Sequence, residues 1–237
     1  MRWTVLRIVM KKLLLPFVFM PFFAFAQSAD EIMSSVRQVT ILQNEQTLEG
    51  QIRKQRLKIP MVMFLRGKDI QFKLDGGKQG FHLRLNDDGQ QLFEIVDGEA
   101  LPLPHERIGV SIAGTDVSYE DLALKFLYWK NPRIVDEQKI DGQQCWRLHV
   151  NNPDQTGQYR EISVWVTKRE RALMRVVGYG ERPDQGSPPV LKQFEITKIM
   201  KVEDSYTIGT MKVSTFGPDN RVKGITYLEF EKPKRRL

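Results

Sequence analysis

The stretch MVMFLRGKDIQFKL, Met61 to Leu74, decides how this chain is read. MVMFLR and DIQFKL are two short β-forming runs around Gly67, the pattern of a hairpin. FHLRLN and QLFEIV repeat it around Asp87-Asp88-Gly89. The first strand has a second property. In IPMVMFL, Met61, Met63 and Leu65 fall on one side, and Val62 and Phe64 on the other. A strand in a single antiparallel layer usually turns one face to water, so two apolar faces need an explanation. Leu92 beside Phe93, and Trp165 between Val164 and Val166, show the same doubling. Either both faces are packed under other elements, or one face lines a cavity; the pattern alone leaves both open. Methionine suits a cavity wall, because its flexible thioether repacks around varied shapes.

Working outward, LEGQIRKQRLKI reads as a first strand before the hairpins. Beyond residue 140 the runs QCWRLHV, QYREISVWVTK, ALMRVVGYG, VLKQFEITKIMKV, YTIGTMKVSTF and GITYLEFEK are rich in β-branched and aromatic residues. Turn clusters separate them at Asn151–Asp154, Arg182–Gly186 and Gly217–Asn220. Roughly ten or more strands at such short spacing predict a mainly β fold built on one curled antiparallel sheet. No composition shift or fixed-period repeat divides it.

Two helices are expected. Ser28-Ala-Asp-Glu31 is a capping box, followed by Ile32, Val36 and Val39 at helical spacing, which predicts a helix to about residue 44. The second begins in GTDVSYEDL, Gly114 to Leu122. Ser118 and Asp121 form another capping box, Leu122, Phe126, Leu127 and Trp129 follow, and Pro132 stops the helix. Glu120 and Asp121 then occupy the first turn, where the helix dipole favours negative charge by about 0.3–1 kcal/mol each. Asp116 lies just outside. The three acids are thus read as the start of a helix rather than as a catalytic or metal-binding set.

Residues 1–26 read as a cleaved secretory signal: Arg2, Arg7, Lys11 and Lys12 precede an apolar run that ends in Ala24-Phe25-Ala26. Pro16 and Pro21 interrupt that run, against a membrane span. Residues 27–237 are expected to form a single domain. Without the four leader cations the chain's net charge of +7 falls to +3. That is not a nucleic-acid footprint. The single Cys145 excludes an intramolecular disulfide and reads as a buried thiol. His82, His105 and His149 show no zinc-binding spacing, and no nucleophile elbow or phosphate-cradling loop occurs. No enzyme activity, metal or cofactor is expected. A hydrolase would need acids such as Asp116, Glu120 or Glu161 to converge in a polar cleft. The basic run RKQRLK is read as a solvated strand face, and the C-terminal KPKRRL as a solvated tail.

The order of parts resembles the exported outer-membrane lipoprotein-sorting proteins, the LolA-like group. The likeness is strongest in GTDVSYEDLALKFLYW, CWRLHV, SVWVTK, LMRVVGYG and KQFEITKI. It implies an incomplete β-barrel with a helical lid over its concave face, and a periplasmic carrier that shields the acyl chains of lipoproteins or lipids. The lid and cavity are then assigned to Ile32, Val36, Met61, Met63, Leu65, Phe72, Phe81, Leu83, Leu122, Phe126 and Trp165. A monomer is expected, with acylated lipoprotein or lipid cargo. Transient partners are expected in an inner-membrane transporter and an outer-membrane acceptor. The alternative is a periplasmic lipid- or lipoprotein-sensing regulatory module. The resemblance does not assign the group's lid-contacting arginine to any one of Arg53, Arg56, Arg66 or Arg84.

Overall fold

The structure is a computed structural model and describes residues 27–41, 46–86, 89–202 and 205–232. The signal segment and the basic tail lie outside them. Thirteen strands form one sheet: β1 (Gln46–Lys54), β2 (Leu57–Arg66), β3 (Asp69–Leu74), β4 (Gln79–Asn86), β5 (Gly89–Val96), β6 (Glu99–Pro102), β7 (Arg133–Ile140), β8 (Gln143–Asn151), β9 (Glu161–Thr167), β10 (Leu173–Tyr179), β11 (Val190–Val202), β12 (Ser205–Phe216) and β13 (Val222–Phe230). Their spatial order is β6-β5-β4-β3-β2-β1-β13-β12-β11-β10-β9-β8-β7, antiparallel throughout. The sheet is curled but not closed.

Two hairpin meanders therefore meet where β1 pairs with β13, Gly50 opposite Phe230 and Arg53 opposite Tyr227. The free edges are β6 and β7, which are consecutive in sequence. The chain between them, residues 103–132, has to cross the concave face from one edge to the other. It carries α2 (His105–Ile108), α3 (Tyr119–Ala123) and a 3-10 turn over Lys125–Tyr128. With α1 (Ala29–Ile41) it makes the cover.

Alternation builds the core. Leu48 and Ile52 of β1, Met61 and Leu65 of β2, Phe72 and Leu74 of β3, and Phe81 and Leu83 of β4 all turn inward and are buried. Phe194, Val213 and Leu228 continue that face across β11, β12 and β13. The cover meets it with Ile32, Met33 and Val36 of α1, and with Val117, Phe126 and Leu127. Phe81 stacks on Phe72 at 4.3 Å and meets the edge of Tyr119 at 5.6 Å.

The doubled strands have a packing explanation. In β9, Ile162, Val164 and Val166 face the core, while Ser163, Trp165 and Thr167 are buried on the outer face. There Trp165 packs with Ile140, Cys145 and Val177 under the guanidinium groups of Arg147 and Arg175, each about 6 Å from its ring. Long neighbouring side chains, not a second layer, cover the outside.

Three expectations are corrected. LEGQIRKQRLKI is two strands, not one: Gln55, at φ 51°, and Arg56 turn the chain between β1 and β2. The helix from Ser118 stops at Ala123, because Leu124 adopts the left-handed conformation at φ 48°, and a 3-10 turn carries Phe126 and Leu127 instead. β6 and β7 escaped the sequence reading because they are edges: every residue of β6 and most of β7 are exposed. The first helix ends at Ile41, and the residues expected to extend it lie outside those described. Its Ser28–Glu31 box is in place, Glu31 N donating to Ser28 Oγ at 3.2 Å and Ser28 N to Glu31 Oε2 at 3.1 Å. No helix among the described residues is long and apolar enough to cross a membrane.

Candidate functional site

Between sheet and cover lies an apolar cavity of about 170 Å³. Its floor is Met63 and Leu65 of β2, Ile70 of β3, Leu83 and Leu85 of β4, and Ile196 and Ile199 of β11. Its roof is Val36 and Arg37 of α1 together with residues 122–124, Leu127 and Tyr128. The β9–β10 turn closes one side with Arg171, Ala172 and Leu173. Ile199 is 46% exposed and lines the cavity, so the space reaches the surface there. Among the described residues no carboxylate lines it.

The three acids of GTDVSYEDL do more than begin a helix: all are buried, Asp116 and Asp121 tie the cover to the sheet, and Glu120 ties it to the loop between β8 and β9. Asp116 receives Lys54 Nζ of β1 at 2.9 Å on Oδ1 and Thr226 Oγ1 of β13 at 2.9 Å on Oδ2. Thr215 Oγ1 of β12 adds 3.2 Å to Oδ1. Gly224 leaves room for it, since a Cβ there would lie 2.4 Å from Asp116 Oδ1.

Asp121 caps its own helix, accepting Ser118 N at 2.8 Å. It also forms an ion pair with Lys192 Nζ of β11 at 2.6 Å, with both side chains almost wholly enclosed. Its other oxygen accepts the Tyr159 hydroxyl at 2.5 Å. Burial and the neighbouring Asp121 carboxylate push the Tyr159 hydroxyl well above its ordinary range, so it remains a donor.

Glu120 is fully buried and takes only Gln158 N, at 2.9 Å on Oε2; its Oε1 has no hydrogen-bond partner. Burial raises its pKa, the backbone bond opposes the shift, and Asp121 adds to it. The acids form a structural clasp, not a polar cleft: each faces a partner in the protein interior. Among the described residues no group of three or more His, Cys, Asp or Glu is placed to hold a metal.

Of the residues assigned from sequence, Val36, Met63, Leu65, Leu83 and Leu122 line the cavity. Ile32, Met61, Phe72, Phe81 and Phe126 sit in the surrounding core without reaching it. Phe126 packs on Phe194 at 5.6 Å and on Tyr159 at 6.1 Å. Trp165 is elsewhere, on the outer face, with its Nε1 donating to Gln138 Oε1 at 2.9 Å.

Sequence reasoning missed Lys54 and Lys192, though a signal existed. Lys192 shares parity with inward Phe194 and Ile196, and Lys54 with Leu48 and Ile52. A lysine on the core side of a strand implies a buried anion. Arg37 was also missed. From α1 its Nε donates to Leu127 O at 2.7 Å and joins two parts of the cover.

Solved structures share this architecture. A DUF1329 family protein from Desulfovibrio piger aligns with a TM-score of 0.64 at 16% identity, over 87% of this chain and 92% of its own. A domain named as an outer-membrane lipoprotein-sorting protein, from Vibrio parahaemolyticus, gives 0.64 at 15% identity, over 85% and 89%. A LolA superfamily protein from Nitrosomonas europaea gives 0.63 at 12% identity, over 90% and 96%. The covered half-barrel is thus a LolA-like fold. At these identities the likeness is one of fold alone. A search of the curated proteins found no sequence match. The model of a family described as an uncharacterized protein matches residues 102–236, more than half of the chain, and the chain belongs to that family.

Proposed function

We propose that this protein is a carrier that shields the hydrocarbon chains of a lipoprotein or lipid in the cavity under its cover. It would act in the periplasm as a single domain, residues 27–237, after loss of the leader. The apolar cavity that opens beside Ile199, with no acid among its described lining residues, carries this reading, and the shared fold supports it.

The cavity's size sets the mechanism. At about 170 Å³ it is comparable with an engineered cavity of about 150 Å³ that accepts benzene. The form described therefore houses one short length of chain, and loading requires the cover to move. The segment through Asp116, Glu120 and Asp121 is held by buried charge and is the fixed part. Among the described residues no buried ion pair holds α1. Arg37 to Leu127 O joins it to the 3-10 turn, and Gln27, just before it, bonds to Arg171. Ile32, Met33 and Val36 anchor it in the core. Helix α1 is the part that lifts.

Energetics define what the carrier does. A chain of ~16 carbons gains roughly 12 kcal/mol on leaving water, at about 0.8 kcal/mol per methylene, and almost nothing on leaving a bilayer. Such a protein carries lipid across water but needs an energy-using donor at the inner membrane and an acceptor at the outer one. Native mass spectrometry of protein purified from a membrane-containing host should show acylated adducts. Lipid-free protein that also fails to keep added lipoprotein soluble would refute the proposal.

A further inference from the structure

Of the six partly buried arginines among the described residues, three face a carboxylate: Arg53 faces Glu229, Arg147 faces Asp136 and Arg175 faces Glu195, while Arg160 donates to Gly157 O. Two half-buried arginines line the cavity, and their contacts are neutral. Arg37 donates to Leu127 O and lies 5.5 Å from the Tyr128 ring centre. Arg171 bonds to Gln27 Oε1, lies 4.4 Å above the Trp146 ring, and keeps a buried Nη1 with no hydrogen-bond partner. The acids nearest in sequence compensate them only weakly. Asp30, two turns up α1 from Arg37, is exposed and its pull on the guanidinium is outweighed by burial, Glu31 is engaged by Ser28 N, and Glu170 pairs with Arg169.

The other polar side chains of the wall, Tyr128 and Thr207, are neutral. A greasy space with two guanidinium groups on its wall, and no acid among its described lining residues, carries a positive potential that its apolar surroundings do little to screen. Burial lowers the pKa of Arg37, as expected for a cation short of compensation.

We infer that the cavity selects single-chain amphiphiles with an anionic head, a carboxylate or a phosphate, over neutral or cationic ones of the same length. This rests on the carrier reading and narrows it. The alkyl chain occupies the Met63, Leu65 and Leu83 floor, and the head is held toward Arg37 and Arg171. A lipid whose polar end is uncharged would use the floor but not the arginines.

The test is calorimetric titration of the purified, delipidated protein with dodecanoate, dodecyl phosphate, dodecanol and dodecyltrimethylammonium, each below its micelle threshold. The better of the two anions should bind at least about tenfold more tightly than dodecanol, the effect of a charge-assisted hydrogen bond, with the cation weakest. Which anion leads identifies the head as carboxylate or phosphate. The readout in variants is the anion-to-alcohol affinity ratio, which a general loss of affinity does not change. Arg37→Met with Arg171→Met should bring it near unity, and Arg37→Lys with Arg171→Lys should keep much of it. Equal binding of dodecanol and both anions, or a ratio unchanged in the methionine double variant, overturns the inference and leaves the carrier intact. Binding of none of the four by the wild type overturns both.

Discussion

Lys192 on β11 and Asp121 on the cover meet at 2.6 Å in the protein interior, an ion pair that holds the crossing segment against the sheet. Such a pair is costly to break from one side, because the remaining charge stays buried. Asp121→Ala should lower unfolding free energy by about 3–5 kcal/mol, with Lys192→Met somewhat milder because Tyr159 and Ser118 still satisfy the carboxylate. Replacing both by apolar residues of similar volume should recover much of the loss. Urea denaturation measures all three, and single variants within about 1 kcal/mol of wild type would show that the clasp is not needed.

Tyr159 depends on an absent side chain. A Cβ at Gly178 would lie 2.4 Å from its ring. Gly178→Ala should therefore displace Tyr159 from Asp121 and destabilise by about 1–3 kcal/mol, as overpacking does. Near-ultraviolet circular dichroism and a thermal melt would register the displaced ring. An unchanged melt would mean that the strand absorbs the methyl group.

Glu120 makes stability depend on pH. Its pKa is raised in the folded state, so the fold binds the proton more tightly than the unfolded chain does. Stability from this group is full below the unfolded value of about 4.3 and is lost as pH rises through the higher folded value. Glu120→Gln should flatten that decline and make the protein more stable at neutral pH. Asp69 and Glu229 have lowered values and work in the opposite direction, with stability lost as pH falls. A variant whose stability declines with rising pH as steeply as wild type would rule out Glu120 as the source.

Cavity and core residues should respond differently. Met63→Trp places bulk in existing space, so amphiphile binding should fall at least about tenfold with little change in stability. Phe126→Asp puts a charge where Phe194 and Tyr159 close the core, and should unfold the protein rather than merely empty it. Binding and melting, measured on the same samples, separate the two outcomes.

If α1 is the moving part, lipid binding should change hydrogen exchange over residues 29–41 while residues 115–123 keep their protection. The reverse pattern would make the clasped segment the gate.

Much of this fold was legible because strand alternation is local. Met61, Met63 and Leu65 announce the inward face of β2, and Ser118 with Asp121 announces a helix start. The rest was not local. Parity places Trp165 on one face of β9 but does not say which face is concave, and the outer cluster under Arg147 and Arg175 forms only once five strands align. Asp121 looked complete as a cap, so its tie to Lys192, 71 residues away, went unread. Leu124 carries no glycine to warn of its left-handed turn.

The seam between β1 and β13 has a consequence for assembly. β1 cannot find its second neighbour until Val222–Phe230 have been made, so in a chain growing from its N-terminus the two half-sheets stay unjoined until the last strand is complete. The hollow does not exist in either half; it comes into being when that last zipper closes. A defect in nine residues at the seam would therefore empty the protein of purpose while leaving most hairpins intact.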